Sequence, residues 1–149
     1  MNYIEAPNEY EGKDVSVFLA GGITGCPDWQ KEMVDKLKDL SITIFNPRRK
    51  NFPTDDPNAG ENQVKWEFKH LHKATVISFW FPKETLNPIT LFELGSWLVS
   101  DKKIFIGIHP DYEKKSTIFV QIKLVRPEVE IVSSLEDLAE QIKNWEMMK

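Results

Sequence analysis

At 149 residues the chain has the length of one domain that can bury a core without disulfide staples, and its 41% hydrophobic and 28% charged residues are ordinary for a globular protein. A single cysteine, Cys26, excludes an internal disulfide and a cysteine-based metal cluster. The net charge of −4 speaks against a nucleic-acid polymer as partner, because binding a polyphosphate demands a basic surface.

The opening MNYIEAPNEYEGKD is acidic and polar, unlike a signal peptide, and residues 1–13 read as a loose N-terminal arm of one domain spanning 1–149. No apolar run approaches the ~18 residues that a membrane helix needs, so a cytoplasmic location is expected. Residues 15–20 (VSVFLA) are β-rich and end at glycines, which predicts a strand. Gly21-Gly22-Ile23-Thr24-Gly25 follows as a loop. Asp28 is placed to cap a helix from residue 29 to about 39, with Met33, Val34 and Leu37 on one face. Residues 42–45 form the second strand. The segment 46–60, which holds Pro47, Pro53 and Pro57, is a loop of a length that often carries function.

Val64, Phe68 and Leu71 at helical spacing predict a helix over 61–73. Residues 75–81 (TVISFWF) are almost continuously apolar, the mark of a central strand covered on both faces. Asn87-Pro88 joins a favoured N-cap to a favoured first helical residue and opens a helix to about residue 100. A strand over 103–108, a helix over 113–124 and a strand over 129–132 follow. The last helix runs through SSLEDLAEQIKNWEMM, with Ser133 and Glu136 spaced as a capping box. Its apolar face, with Leu138, Ile142 and Trp145, suits either a core or an interface.

This alternation predicts an α/β fold: a flavodoxin-like, five-stranded parallel sheet of order 2-1-3-4-5 with helices on both faces. In such sheets ligands bind beyond the carboxyl ends of the strands, where the strand order reverses. That point lies between the strands at 15–20 and 75–81. GGITG follows the one, PKETLNPITLFELG follows the other, and NPRRKNFP leaves the second strand at the same edge.

Glu93 is the sharpest candidate in that crevice. It sits among Ile89, Leu91, Phe92, Leu94, Trp97 and Leu98 in a helix apolar almost all round, so the helix is expected to be largely buried. A carboxylate there must be paired, hydrogen-bonded or neutral. It is either a nucleophile or acid/base group, or a structural glutamate paired with Arg48 or Arg49. Gln63 and Glu67 share a face at i and i+4, which by itself describes any solvated helix. Gly21 and Gly22 permit close approach of a ligand to the backbone or simply a tight turn, and GGITG is neither GxGxxG nor a P-loop. Arg48 and Arg49 are either phosphate or carboxylate holders or surface charges. Trp29, Trp66, Trp80 and Phe18 are core residues or a stacking wall for a planar base. His109 and Asp111 in HPDY read as a turn, and His70 and His72, two apart on a helix, do not face one ligand, so no metal site emerges.

The series FLAGGITG, NPRR, QVKWE, SFWFP and ITLFELG, followed by KIFIGIHPDY, resembles the nucleoside 2-deoxyribosyltransferase-like family over roughly residues 15–132. The resemblance implies a flavodoxin-like fold, an N-glycosidic bond as target, and a glutamate nucleophile that forms a covalent deoxyribosyl intermediate. By position in the motif Glu93 matches that nucleophile. Glu67 matches an upstream helix acid, usually Asp, near the base. Phe18, Gly21, Gly22, Arg48, Gln63, Trp80 and Asn87 are the expected substrate-binding residues. Asn87 stands where a branch of the relatives carries Asp, and Phe18 where a Tyr is frequent.

The resemblance implies further that the chain forms a homo-oligomer, as its relatives commonly do. The chemistry needs no metal or organic cofactor, since an oxocarbenium-like state is stabilised by a carboxylate and a proton donor. Three readings stay open. The first is transfer or hydrolysis on a 2'-deoxynucleoside or its 5'-monophosphate. The second is a non-catalytic module for a nucleotide or an ADP-ribose-like ligand. The third is an interaction protein without a small ligand. Arginines pointing into the cleft favour a 5'-phosphate, and arginines facing solvent favour free nucleosides.

Overall fold

In the computed structural model, which describes residues 1–149, the apolar run at the middle of the chain forms Val76–Phe81, a strand buried at every residue. Its side chains alternate between two cores. Ile77, Phe79 and Phe81 enter one, and Val76 and Trp80 enter the other. Alternation into two cores is why this strand reads as continuously apolar, whereas a half-solvated strand shows period two.

In chain order the elements are β1 (Asn2–Glu5), β2 (Ser16–Gly21), α1 (Trp29–Leu37), β3 (Thr43–Asn46), α2 (Ala59–Lys73), β4 (Val76–Phe81), α3 (Pro88–Leu98), β5 (Lys103–Ile108), α4 (Lys115–Val125), β6 (Ile131–Val132) and α5 (Leu135–Met147). All ladders are parallel, and the sheet runs β1-β3-β2-β4-β5-β6. From β3 to β6 this is the flavodoxin-like order expected for five strands. Helices α2, α3 and α4 cover one face through Trp66, Leu71, Leu94, Leu98, Ile118 and Ile122. Helices α1 and α5 cover the other through Trp29, Met33, Leu37, Leu138 and Ile142. Each fully buried Phe or Leu in these layers contributes roughly 1.5–3 kcal/mol of transfer free energy. No helix is long and apolar enough to cross a membrane.

The sixth strand corrects the expectation of a loose N-terminal arm. Asn2–Glu5 pairs with Thr43–Asn46 residue for residue, and Ala6 just beyond it is buried. Tyr10 packs edge-on against Phe45 at 5.7 Å, Trp66 Nε1 donates to Asn8 O at 2.8 Å, and Lys69 pairs with Glu9 and Glu11. As an edge strand β1 buries little, so its sequence lacks the apolar pattern that marks a strand.

Helix ends depart in detail. Asp28 caps α1 as expected, accepting from Lys31 N at 3.1 Å. The cap of α5 is Ser134, one residue later than expected, and it accepts from Asp137 N at 3.1 Å. Helix α3 is not buried all round: Thr90, Leu94 and Leu98 face the sheet, while Ile89 and Phe92 are 65% and 76% exposed. It packs in the outer layer of a two-sided sheet, so only one stripe meets the core.

Candidate active site

A cleft of about 460 Å³ opens beyond the carboxyl ends of β2, β3 and β4, at the reversal of strand order between β2 and β4. Strand β2 contributes Phe18 and Gly21, and the loop after it Gly22, Ile23 and Thr24. Helix α2 contributes Gln63 and Glu67, and the start of α3 contributes Asn87, Thr90 and Glu93. Seven of the expected site residues therefore share one cavity: Phe18, Gly21, Gly22, Gln63, Glu67, Asn87 and Glu93.

Glu93 projects from the second turn of α3 and is half-buried. No Lys, Arg or His forms an ion pair with it, which removes the reading of a structural glutamate locked by an arginine. Burial out of water, with the Glu67 carboxyl as a smaller second cause, pushes its pKa up to about 8. Glu67 is also half-buried, and burial raises its pKa against the opposing pull of a hydrogen bond from Gln63. Gln63 Nε2 donates to Glu67 Oε1 at 3.2 Å and to Pro47 O at 2.7 Å. A carbonyl can only accept, so the orientation of this amide is determined. Gln63 thereby ties the acid of α2 to the loop leaving β3.

The two glycines are required by packing. A Cβ on Gly21 would lie 2.4 Å from the Trp29 ring and from Trp80 O. One on Gly22 would lie 1.9 Å from Asn87 Oδ1 and 2.7 Å from Cys26 Sγ. Asn87 holds the other side of that contact. It adopts the left-handed conformation, φ 52° and ψ 57°, which Asn tolerates better than most residues. It occupies the N-cap position of α3 without capping through its side chain. Nδ2 donates instead to Pro82 O and Thr85 O at 3.1 and 3.0 Å, and Oδ1 accepts from Thr85 Oγ1 at 2.9 Å. Both amide protons are spent inside the protein, so Asn87 lines the cleft as a brace.

Two expected site residues lie elsewhere. Arg48 turns back under the loop after β2, where its guanidinium donates to Pro27 O, Cys26 O and Gln30 Oε1 at 2.8, 2.9 and 3.0 Å. Its neighbour Arg49 lines the cleft in its place. Trp80 belongs to the opposite core, 6.4 Å from the His109 ring, because residues at odd separations along β4 face opposite sides of the sheet. Trp29 and Trp66 are core residues that donate to Gly22 O and Asn8 O. His109 Nδ1 accepts from Asp111 N at 3.0 Å, a turn. Sequence reasoning did not anticipate Phe52, Thr85, Ile89 or Thr90 in the cleft wall. The long loop holding Phe52 was the signal, and the rest needed the path of the chain before α3.

The model of one family, described as nucleoside 2-deoxyribosyltransferase like, matches residues 14–112. The chain belongs to this family. The match runs from the residue after the N-terminal arm to Tyr112 beyond β5, and it contains every residue that lines the cleft. Membership in the nucleoside 2-deoxyribosyltransferase-like family implies glycosyl-transferring chemistry and a small nucleoside substrate. No curated protein matches the chain.

Proposed function

We propose that the protein cleaves or exchanges the N-glycosidic bond of a 2'-deoxynucleoside or its 5'-monophosphate, with Glu93 as nucleophile and Glu67 as proton donor. The observation that carries this reading is the pair itself: two half-buried carboxyls, neither ion-paired to a cation, lining one cleft, the first with a pKa of about 8.

In the first step an ionised Glu93 oxygen attacks C1' of the sugar. The bond from C1' to the base nitrogen breaks, its electron pair leaves with the base, and protonated Glu67 supplies the proton. The product is a glutamyl-deoxyribose ester and a free base. In the second step water or another base attacks C1', Glu67 takes the proton released, and Glu93 leaves as a carboxylate. Attack by water gives hydrolysis, and attack by a base gives exchange. The pair must hold one proton, and it must reside on Glu67. In the empty cleft burial raises both pKa values, that of Glu93 to about 8, so the pair keeps a proton at neutral pH. Positive charge developing at C1' stabilises the Glu93 carboxylate and so favours the proton on Glu67.

One observation favours a second reading, a non-catalytic nucleotide-binding module. Asn87 cannot serve as a carboxylate beside Glu93, and its amide is already used by Pro82 O and Thr85 O. The absence of a cation locking Glu93 weighs the other way. Self-association belongs to the proposal as well. Val64 and Phe68 on α2, with Ile89 and Phe92 on α3, form exposed apolar stripes that reach the cleft mouth at Val64 and Ile89.

The test is incubation with a panel of 2'-deoxynucleosides and their 5'-monophosphates, with and without a second base, followed by chromatography. Base release or exchange that vanishes in Glu93→Ala supports the enzyme. A folded protein that binds a nucleotide but turns over nothing on the panel moves the assignment to the binding module.

A further inference from the structure

The two arginines after β3 have opposite fates, and the difference bears on the substrate. Arg48 is saturated by two carbonyls and Gln30, and its Nε lies 3.9 Å from Asp28. Arg49 has no carboxylate partner and no hydrogen-bond acceptor in the protein. Its guanidinium rests over the Phe52 ring at 5.3 Å, and both side chains line the cleft that holds Glu67 and Glu93. Arg49 is the single cationic side chain in that wall. Stacking on an aromatic face presents the planar fork and leaves its donors free for a bidentate anion. Across the cleft, the backbone N–H groups of Ile23 and Thr24 also lack an acceptor in the protein.

We infer that Arg49 is the specificity-determining residue of this cleft and reads a phosphate monoester, so that the substrate is a nucleoside 5'-monophosphate in preference to the free nucleoside. The inference rests on the proposed glycosidic function and narrows it. One guanidinium matches one phosphate. With no second cation in the wall and two carboxyls lining it, a di- or triphosphate would bring charge that nothing there balances. The anion sits at the Arg49 end, and the sugar carbon faces Glu93.

Binding is read separately from turnover. In Glu93→Gln, calorimetry with a 2'-deoxynucleoside and its 5'-monophosphate is expected to show the monophosphate about ten- to a hundredfold tighter, the range for charge-assisted hydrogen bonds. Adding Arg49→Gln should collapse that ratio towards one, and Arg49→Lys should restore part of it, because lysine keeps the charge and loses the fork. Equal affinity for the two ligands, no measurable binding of the monophosphate, or a ratio untouched by Arg49→Gln overturns the inference. Wild-type turnover of free nucleosides with the same kcat/KM as monophosphates overturns it while leaving the glycosidic function standing. A tenfold binding ratio with no turnover of either overturns the glycosidic function and leaves Arg49 as the phosphate reader.

Discussion

Replacing Glu93 by Gln should stabilise the protein, and by more at alkaline pH than at acid pH. The unfolded chain releases the Glu93 proton near 4.5, whereas the folded protein keeps it until about 8. Between those values the native state holds one more proton than the unfolded state, so stability falls as pH rises. Each unit is worth about 1.4 kcal/mol, which caps the loss near 5 kcal/mol by pH 8. The carboxyl is half-buried in the wall of an open cleft, so water and local relaxation reduce this to about 2 kcal/mol. Glutamine has the same shape and never ionises. Below pH 4.5 both side chains are neutral and the two proteins should be nearly equal. Urea unfolding at pH 5, 7 and 8.5, followed by tryptophan fluorescence, measures the gap. A gap that widens by about 2 kcal/mol in favour of Glu93→Gln from pH 5 to 8.5 is expected. A gap that is constant over this range would refute the claim that Glu93 is held neutral by burial.

Base release should follow a bell-shaped pH profile whose alkaline limb lies near 8, where the carboxyl pair loses its last proton; in Glu67→Gln, ¹³C titration should find the Glu93 pKa lowered, since a raising carboxylate is gone. Gly22→Ala places a methyl 1.9 Å from Asn87 Oδ1, and should cost on the order of 2 kcal/mol in urea unfolding as well as most of the turnover. Arg48→Ala should cost about 2 kcal/mol by removing three hydrogen bonds beneath the loop after β2, while the preference for monophosphate over nucleoside in binding assays stays as it was. Phe92→Glu, at a side chain 76% exposed, should keep the circular dichroism of the wild type and lower the mass found by sedimentation velocity; a wild type already monomeric would remove the assembly from the proposal.

The parts of the fold that could be read in one dimension were those whose signal is local. Residues 75–81 announced a strand buried on both faces, and Asn87-Pro88 the start of α3. Asp28 announced the cap of α1, and GGITG and NPITLFELG the two segments that meet at the cleft. What stayed hidden depends on register. Phe18 pairs beside Ile77, and Trp80 lies three residues beyond Ile77, so an odd offset sends the tryptophan through the sheet to the opposite core. Arg48 and Arg49 look alike in sequence, and only the position of the Cys26 and Pro27 carbonyls decides which one is consumed. Strand β1 was invisible for a different reason: its stability comes from ladder bonds to β3, which any sequence can make.

Under the proposed function, the disposition of charge in the cleft matches what glycosyl transfer asks of Glu93 as nucleophile. A cation held against Glu93 would keep the carboxylate ionised at rest, but it would also spend the negative charge before the reaction begins and repel the positive charge that builds at C1'. Such an interaction stabilises the ground state as much as the transition state and yields no rate. Here the chain supplies two adjacent arginines after β3 and gives neither to the carboxyls: Arg48 is anchored on carbonyl oxygens outside the cleft, and Arg49, in the cleft wall, is laid over Phe52. Desolvation and the neighbouring Glu67 do the opposite of a cation, leaving Glu93 with a carboxylate that is poorly stabilised until the sugar becomes cationic. The attraction is then strongest where the barrier lies. The resting instability is tolerable because the strands whose ends form the site are held between two cores, with Val17, Phe18 and Leu19 of β2 and Ile77, Phe79 and Phe81 of β4 at most 1% exposed.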